Sequence, residues 1–141
     1  MTNEHDNTLA TPLVEIVLPV YNEEADLPGS VETLMRFLHA SAPWTWRILI
    51  ADNASTDDTF DVATTLAVTH AQVAVLRLAE KGRGRALRCG WLGSDSPVVC
   101  YMDVDLSTDL NALPLLVSAI CDDGYDVAIG SRLAKGAHVS K

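Results

Sequence analysis

The chain has 141 residues, 48% of them hydrophobic, and a formal net charge of −9. This length and hydrophobicity fit one globular domain with a buried core, and they exclude a largely disordered protein. The charge disfavours nucleic acid as a partner, because an acidic surface repels phosphate backbones.

Strand-like and helix-like segments alternate after a polar lead-in, residues 1–12, that we predict to be disordered. Short runs rich in β-branched residues predict strands, and apolar residues three or four positions apart predict helices. In chain order the predicted elements are strand 14–18, ended by Pro19; helix 26–40; strand 47–51; a helix with Phe60, Ala63 and Ala67 on one side; strand 73–78; helix 82–91; strand 98–102; a helix marked by Leu113, Leu116, Val117 and Ile120; and strand 126–129. This alternation predicts an α/β fold over residues 13–141, with helices flanking a mainly parallel sheet.

Groups of polar residues follow the predicted strands, and open parallel sheets bind ligands at the carboxyl ends of their strands. The first group, Pro19-Val20-Tyr21-Asn22-Glu23-Glu24, lacks the glycines of a dinucleotide site, which disfavours an NAD enzyme. Its ring, amide and carboxylate could hold a base or ribose, or Asn22 could cap the next helix. The second is Asp52, which could accept hydrogen bonds from a ribose or base, although alone it is more typical of a turn.

The third group is basic. Lys81-Gly82-Arg83-Gly84-Arg85-Ala86 lies in a stretch from Arg77 to Arg88 that holds half of the ten basic residues. Glycines let backbone amides approach an anion and the basic side chains add charge, so the segment is a candidate phosphate site. A solvated helix face is the commoner explanation of a charge run alone, and the segment matches neither a Walker A motif nor a full dinucleotide motif.

The fourth group, Asp103-Val104-Asp105, directly follows the predicted strand 98–102. Two carboxylates this close are costly unless a cation joins them, and Mg²⁺ or Mn²⁺ prefers such oxygen ligands. An acidic loop before a helix also serves as a helix cap, so the pair alone does not decide between the two interpretations.

The cysteines, the N-terminus and the apolar segments indicate where in the cell the protein is expected to be. Cys89, Cys100 and Cys121 are widely spaced in apolar surroundings and match no zinc pattern, so we predict reduced core thiols in a cytoplasmic protein. The N-terminus lacks the basic start of a signal peptide. The apolar stretches are far shorter than the roughly 20 residues that span a bilayer. Any membrane contact is therefore expected to be peripheral, at the cytoplasmic face, or to come through another segment or partner.

Together, the segments VLPVYNEE, IADNASTDDT, EKGRGRALRCGW, MDVDLSTDL and DVAIGSRL resemble the inverting glycosyltransferases of family 2. The resemblance runs from about Val14 to Val139 and is strongest to polyprenyl- and dolichyl-phosphate β-glucosyltransferases and mannosyltransferases. DLSTDL and GSRLAKG favour the glucosyl branch. The resemblance implies the nucleotide-diphospho-sugar transferase (GT-A) fold, UDP-glucose or GDP-mannose as donor, a lipid-phosphate acceptor and a place in cell-envelope glycan synthesis.

The resemblance also implies a donor site and a metal site. The residues that would bind the nucleotide sugar are Pro19, Tyr21, Glu23, Asp52, Lys81, Arg85, Asp103 and Val104. The first four would hold the base and ribose, and the two basic residues would lie near the diphosphate. Asp103 and Asp105 would bind Mg²⁺ or Mn²⁺, with Ser107 close by. Asp105 and Arg132 are the implied catalytic residues, and Arg132 would steady the leaving diphosphate or the acceptor phosphate.

Such relatives continue past Gly130-Ser131-Arg132, so we expect the acceptor-binding part to be missing from these 141 residues. The chain would then be either an active hexosyltransferase or a non-catalytic fragment that binds nucleotide sugars. A third hypothesis is a phosphohydrolase of the haloacid dehalogenase type, because Asp103-Val104-Asp105-Leu106-Ser107 is close to its D-x-D-x-[T/V] signature. That family places the signature on the first strand, whereas here it follows the fourth.

Overall fold

The computed structural model describes residues 13–79, 95–104, 110–121, 127–130 and 137–140. The predicted lead-in and the predicted helix 82–91 lie outside the described residues. So do five residues of the predicted sites, which are Lys81, Arg85, Asp105, Ser107 and Arg132.

Four parallel strands form a sheet in the order β3-β2-β1-β4. They are β1, Val14–Val20; β2, Trp46–Asp52; β3, Val73–Arg77; and β4, Val98–Tyr101. The described helices are α1, Leu27–Ser41; α2, Thr59–Thr69; and α3, Ala112–Cys121. β5, Val127–Gly130, and β6, Ala137–Ser140, form a separate antiparallel pair. The predicted α/β fold with a mainly parallel sheet is confirmed, although β6 was not predicted.

The core lies between one face of the sheet and the helices. β1 is one of the two inner strands, and its alternate residues Ile16 and Leu18 are fully buried on this face. The apolar residues of α1 recur at helical spacing, so they form one stripe that packs there: Leu27, Val31, Leu34, Met35 and Leu38. On the outer side of α1, Glu32 and Arg36 form an (i, i+4) ion pair at 3.0 Å. None of the helices in the described ranges combines the length and apolar character needed to cross a membrane.

Pro19 does not end β1, contrary to the prediction. The Val17 carbonyl accepts a hydrogen bond from the Met102 amide at 3.2 Å, so the backbone of Val17 faces β4. Pro19 faces the same side, but the pairing with β4 stops at Val17 and Tyr101. Because none of the described strands lies opposite Pro19 on that side, its missing amide hydrogen costs no ladder bond there, and the strand continues to Val20.

Cys100, in β4, is a half-buried free thiol, and the predicted reduced state of the three cysteines remains a prediction. The side chains of Cys89 and Cys121 lie outside the described set. Burial raises the pKa of the Cys100 thiol to about 12. Since the thiolate is the nucleophile, only about one molecule in 10⁴ would be reactive at pH 8.

We therefore expect iodoacetamide to alkylate Cys100 at least about a hundredfold more slowly at pH 8 in the folded protein than in urea, where the pKa returns to roughly 8.5. Peptide mapping by mass spectrometry measures both rates. Similar rates in the two conditions would show that the thiol is not protected by burial.

Candidate active site

The predicted site residues that lie in the described ranges come to one edge of the sheet. Tyr21 and Glu23 directly follow β1, and Asp52 is the last residue of β2. Asp103 and Val104 follow β4. Parallel strands point the same way, so these residues share the carboxyl edge, where α/β sheets bind ligands.

The loop after β1 is joined to the loop after β2 through Asn22. The side-chain oxygen of Asn22 accepts hydrogen bonds from the amides of Thr56 at 2.9 Å and Asp57 at 3.3 Å. The Asn22 amide in turn donates to the hydroxyl of Ser55 at 2.9 Å. These contacts hold the two loops as one unit beside the sheet.

Asn22 is not a helix cap, contrary to the predicted alternative. α1 begins at Leu27, and the residue before it is Asp26. Asn22 instead adopts a left-handed backbone, with φ of 50°. Asparagine tolerates this conformation better than most residues, and here it turns the side chain towards the neighbouring loop.

We expect Asn22→Ala to lower the free energy of unfolding by about 2 kcal/mol, because it removes an acceptor for two amides and places alanine in the left-handed region. Asn22→Gly removes the same side chain but accepts the backbone angle, so its loss should be about half as large. Urea denaturation followed by circular dichroism measures both losses. An alanine variant as stable as the wild type would mean that the joined loops do not contribute to stability.

A second contact network lies where α2 begins. The Thr59 amide donates to Asp57 at 2.9 Å, the Thr59 hydroxyl also donates to Asp57, and the Glu23 amide donates to the Thr59 hydroxyl at 2.8 Å. Desolvation raises the pKa of Asp57, but the hydrogen bonds from Thr59 and Glu24 outweigh it and hold this pKa below its ordinary value. Asp57 is therefore ionised at neutral pH. Its contribution to stability is present above the unfolded-state pKa and is lost as the pH falls through the lower folded-state pKa.

Asp52 is fully buried and lies opposite Arg77 of β3 in the register of the sheet. Arg77 Nε is 3.4 Å from Asp52 Oδ2, which is an ion-pair distance. Neither carboxylate oxygen has a well-aligned hydrogen-bond partner among the described residues. The guanidinium of Arg77 also stacks on Phe60, 4.4 Å from the centre of its ring. The predicted ligand contact of Asp52 remains a prediction, and in the structure this carboxylate holds Arg77.

An open cleft of about 460 Å³ lies beside this ion pair. Its described lining consists of Ala54, Ser55, Arg77, Leu78 and Ala79. Sequence reasoning noted Arg77 only as the start of a basic stretch and did not assign it to the site. Its position opposite Asp52 could have been found only by aligning β2 with β3.

On the other side of β1, Asp103 is half-buried beyond the end of β4. The next side chain, Val104, is buried and packs into the core, which anchors this loop. Carboxylate oxygens suit Mg²⁺ or Mn²⁺, so Asp103 fits the predicted metal site in its donor chemistry. Within the described ranges, no cluster of three or more histidine, cysteine or acidic side chains could hold a metal by itself. The predicted partner, Asp105, lies outside those ranges.

A comparison with known families tests the phosphohydrolase hypothesis. The model of the family described as "Glycosyl transferase family 2" matches residues 15–140. The chain belongs to glycosyl transferase family 2. The haloacid dehalogenase hypothesis is therefore wrong, in agreement with the position of Asp103 after β4 and not after the first of the described strands.

Curated relatives of this family 2 chain include two lipid-phosphate glycosyltransferases. It is 32% identical over 126 residues to the dolichol-phosphate mannosyltransferase of Pyrococcus furiosus. This match covers 89% of this chain and 35% of that protein. The chain is also 32% identical over 131 residues to the dolichyl-phosphate β-glucosyltransferase of Drosophila melanogaster. This match covers 84% of this chain and 40% of that protein. The chain spans half or less of the length of such curated relatives.

A solved structure with the same fold is a mannosyltransferase from Pyrobaculum calidifontis in complex with GDP-Man and Mn²⁺. The TM-score is 0.65 at 21% identity, and the match covers 82% of this chain and 34% of that one. The similarity confirms the predicted nucleotide-sugar transferase (GT-A) fold.

Proposed function

We propose that this chain binds a nucleotide sugar at the carboxyl edge of its sheet and takes part in inverting transfer of a hexose to a polyprenyl phosphate or a similar acceptor. The proposal rests on one observation: Asp103 lies at the same edge of the sheet as the joined loops after β1 and β2. The relatives named for dolichol- and dolichyl-phosphate transfer support the acceptor class. UDP-glucose and GDP-mannose are the candidate donors.

Each end of the donor would meet a different part of the edge. The loop that carries Tyr21 and Glu23 would hold the base and ribose, and the hydrogen bonds of Asn22 to the neighbouring loop would help to position it. Lys81 and Arg85 would offset the charge of the diphosphate. Asp103 and Asp105 would hold Mg²⁺ or Mn²⁺, which when bound supplies positive charge to the departing diphosphate.

The transfer step needs no general base on the protein. A phosphate oxygen of the acceptor, already an anion, would attack the anomeric carbon of the sugar from the face opposite the leaving nucleoside diphosphate. The new carbon–oxygen bond would form as the bond to the nucleoside diphosphate breaks, and the bonding pair would leave on that diphosphate, inverting the carbon. Arg132 would offset charge on either phosphate group. The absence of histidine from the five motifs agrees with a step that requires no base.

Labelled sugar transfer tests the proposal. The protein is incubated with radiolabelled UDP-glucose or GDP-mannose and polyprenyl phosphate, with Mn²⁺, with Mg²⁺ or with a chelator, and the lipid product is extracted and counted. Metal-dependent transfer from one donor supports the proposal. Calorimetry with UDP and GDP is run in parallel, and metal-dependent binding without transfer would favour the non-catalytic fragment. If the protein neither binds a nucleotide nor transfers a sugar, both functions are refuted.

A further inference from the structure

Arg77 has the properties of a ligand-contacting residue. Its side chain is 49% exposed and lines the cleft, yet two neighbours restrict it. The buried carboxylate of Asp52 lies behind it at 3.4 Å, and the Phe60 ring covers one side of the guanidinium. A long, flexible side chain is thereby held with a flat, partly exposed group facing the cleft, which lowers the entropy lost when a ligand binds.

The charge of Arg77 argues against a phosphate as its ligand. Asp52 already compensates that charge, so little of it is left to attract an anion. What remains available is a planar surface and its N–H edge. Guanidinium planes stack on aromatic rings, and nucleobases are stacked on arginine in the same way.

The position of Arg77 in the sheet points to the same ligand. β3 and β4 are the two outer strands of the order β3-β2-β1-β4. Neighbouring strands lie about 4.8 Å apart, so Arg77 and the candidate metal ligand Asp103 are separated by roughly 14 Å across the edge. A donor whose diphosphate lies near Asp103 would extend its other end, the nucleoside, towards the β2–β3 side.

We propose that Arg77 stacks on the nucleobase of the nucleoside diphosphate sugar, with Asp52 and Phe60 as positioning residues that hold its guanidinium. This inference rests on the proposed function, since it assigns the base end of the same donor site. It adds a base-contacting residue that lies outside the residues matched to family motifs.

Titration calorimetry in Mn²⁺ with UDP, GDP and inorganic diphosphate tests the inference. Arg77→Lys keeps the charge but removes the plane, so we expect it to weaken binding of the preferred nucleotide about tenfold. Binding of inorganic diphosphate should not change, because that ligand has no base. Arg36→Lys is the matched control, since Arg36 is an exposed residue on α1 and this variant should bind both ligands as the wild type does.

Phe60→Leu leaves the Asp52–Arg77 pair in place and provides a second test if Arg77→Lys proves unstable in a thermal unfolding scan. It should weaken nucleotide binding in the same direction, again without an effect on inorganic diphosphate. Wild-type nucleotide affinity in both variants would overturn the inference while leaving the proposed function intact. An equal loss for inorganic diphosphate would also overturn it, by making Arg77 a phosphate contact. If the wild type binds neither nucleotide, the proposed function itself fails.

Discussion

Asp103→Asn is expected to lower kcat/KM for sugar transfer by about a thousandfold, because the metal it would help to bind supplies several kcal/mol of charge stabilisation to the leaving diphosphate. Asp105→Ala should have an effect of the same order, since both carboxylates would share one ion. The asparagine substitution keeps the size of the side chain and removes its charge. The measurement is the rate of labelled-lipid formation at saturating acceptor, over a range of donor and Mn²⁺ concentrations.

Asp95→Asn is the matched control for this experiment. Asp95 is an exposed residue that precedes β4, at the opposite end of the strand from Asp103. It undergoes the same chemical change and should keep wild-type kcat/KM. If Asp103→Asn also keeps wild-type activity and its dependence on Mn²⁺, then Asp103 is not a metal ligand.

Arg47→Met is expected to lower the free energy of unfolding by about 2–3 kcal/mol. Glu15, the second residue of β1, is only 1% exposed, and Arg47 lies opposite it on β2. Arg47 Nε and Nη2 are each 2.7 Å from Glu15 Oε2, whereas Glu15 Oε1 has no partner among the described residues. Without Arg47 the buried carboxylate would lose its counter-charge. The expected loss is smaller than the roughly 3–5 kcal/mol typical of breaking a buried pair, because the Arg47 side chain is 38% exposed and water screens its charge.

The double variant Glu15→Met/Arg47→Met should recover most of that stability, because apolar side chains of similar length often replace a buried ion pair without loss. Arg36→Met breaks an exposed helix pair instead and should cost less than about 0.5 kcal/mol. Urea denaturation of the four proteins gives the comparison. If Arg47→Met is no less stable than Arg36→Met, the Glu15 carboxylate is compensated by another group.

The sequence was sufficient to predict the elements of the sheet because hydrophobic periodicity is a local property. The boundaries of β2, β3 and β4 agree with their predicted ranges to within one residue. The end of β1 could not be predicted in this way. Whether Pro19 interrupts a strand depends on how far the neighbouring β4 extends, and β4 lies about 80 residues later in the chain.

Contacts between residues far apart in the chain also limited how much of the candidate site could be predicted from the sequence. The positions of Asp52 and Asp103 after strands were visible in the sequence, because strand ends can be located from composition. The role of Asn22 was not, since its partners lie more than 30 residues away in another loop. Arg77 was missed for a similar reason, because its pairing with Asp52 depends on the register between two strands, and a shift of one residue would turn it to the other face.

The inner position of β1 has a consequence for the synthesis of the protein. Val14 pairs with Trp46 on one side but with Val98 on the other, so about 80 residues must be made after β1 before its second edge can be covered. At roughly 5–20 residues per second, that edge stays open on the ribosome for about 4–16 s. An apolar strand with an open edge readily pairs with other chains. We therefore expect the nascent chain to depend on chaperones during that interval, and pausing of translation between β3 and β4 to lower the yield of folded protein.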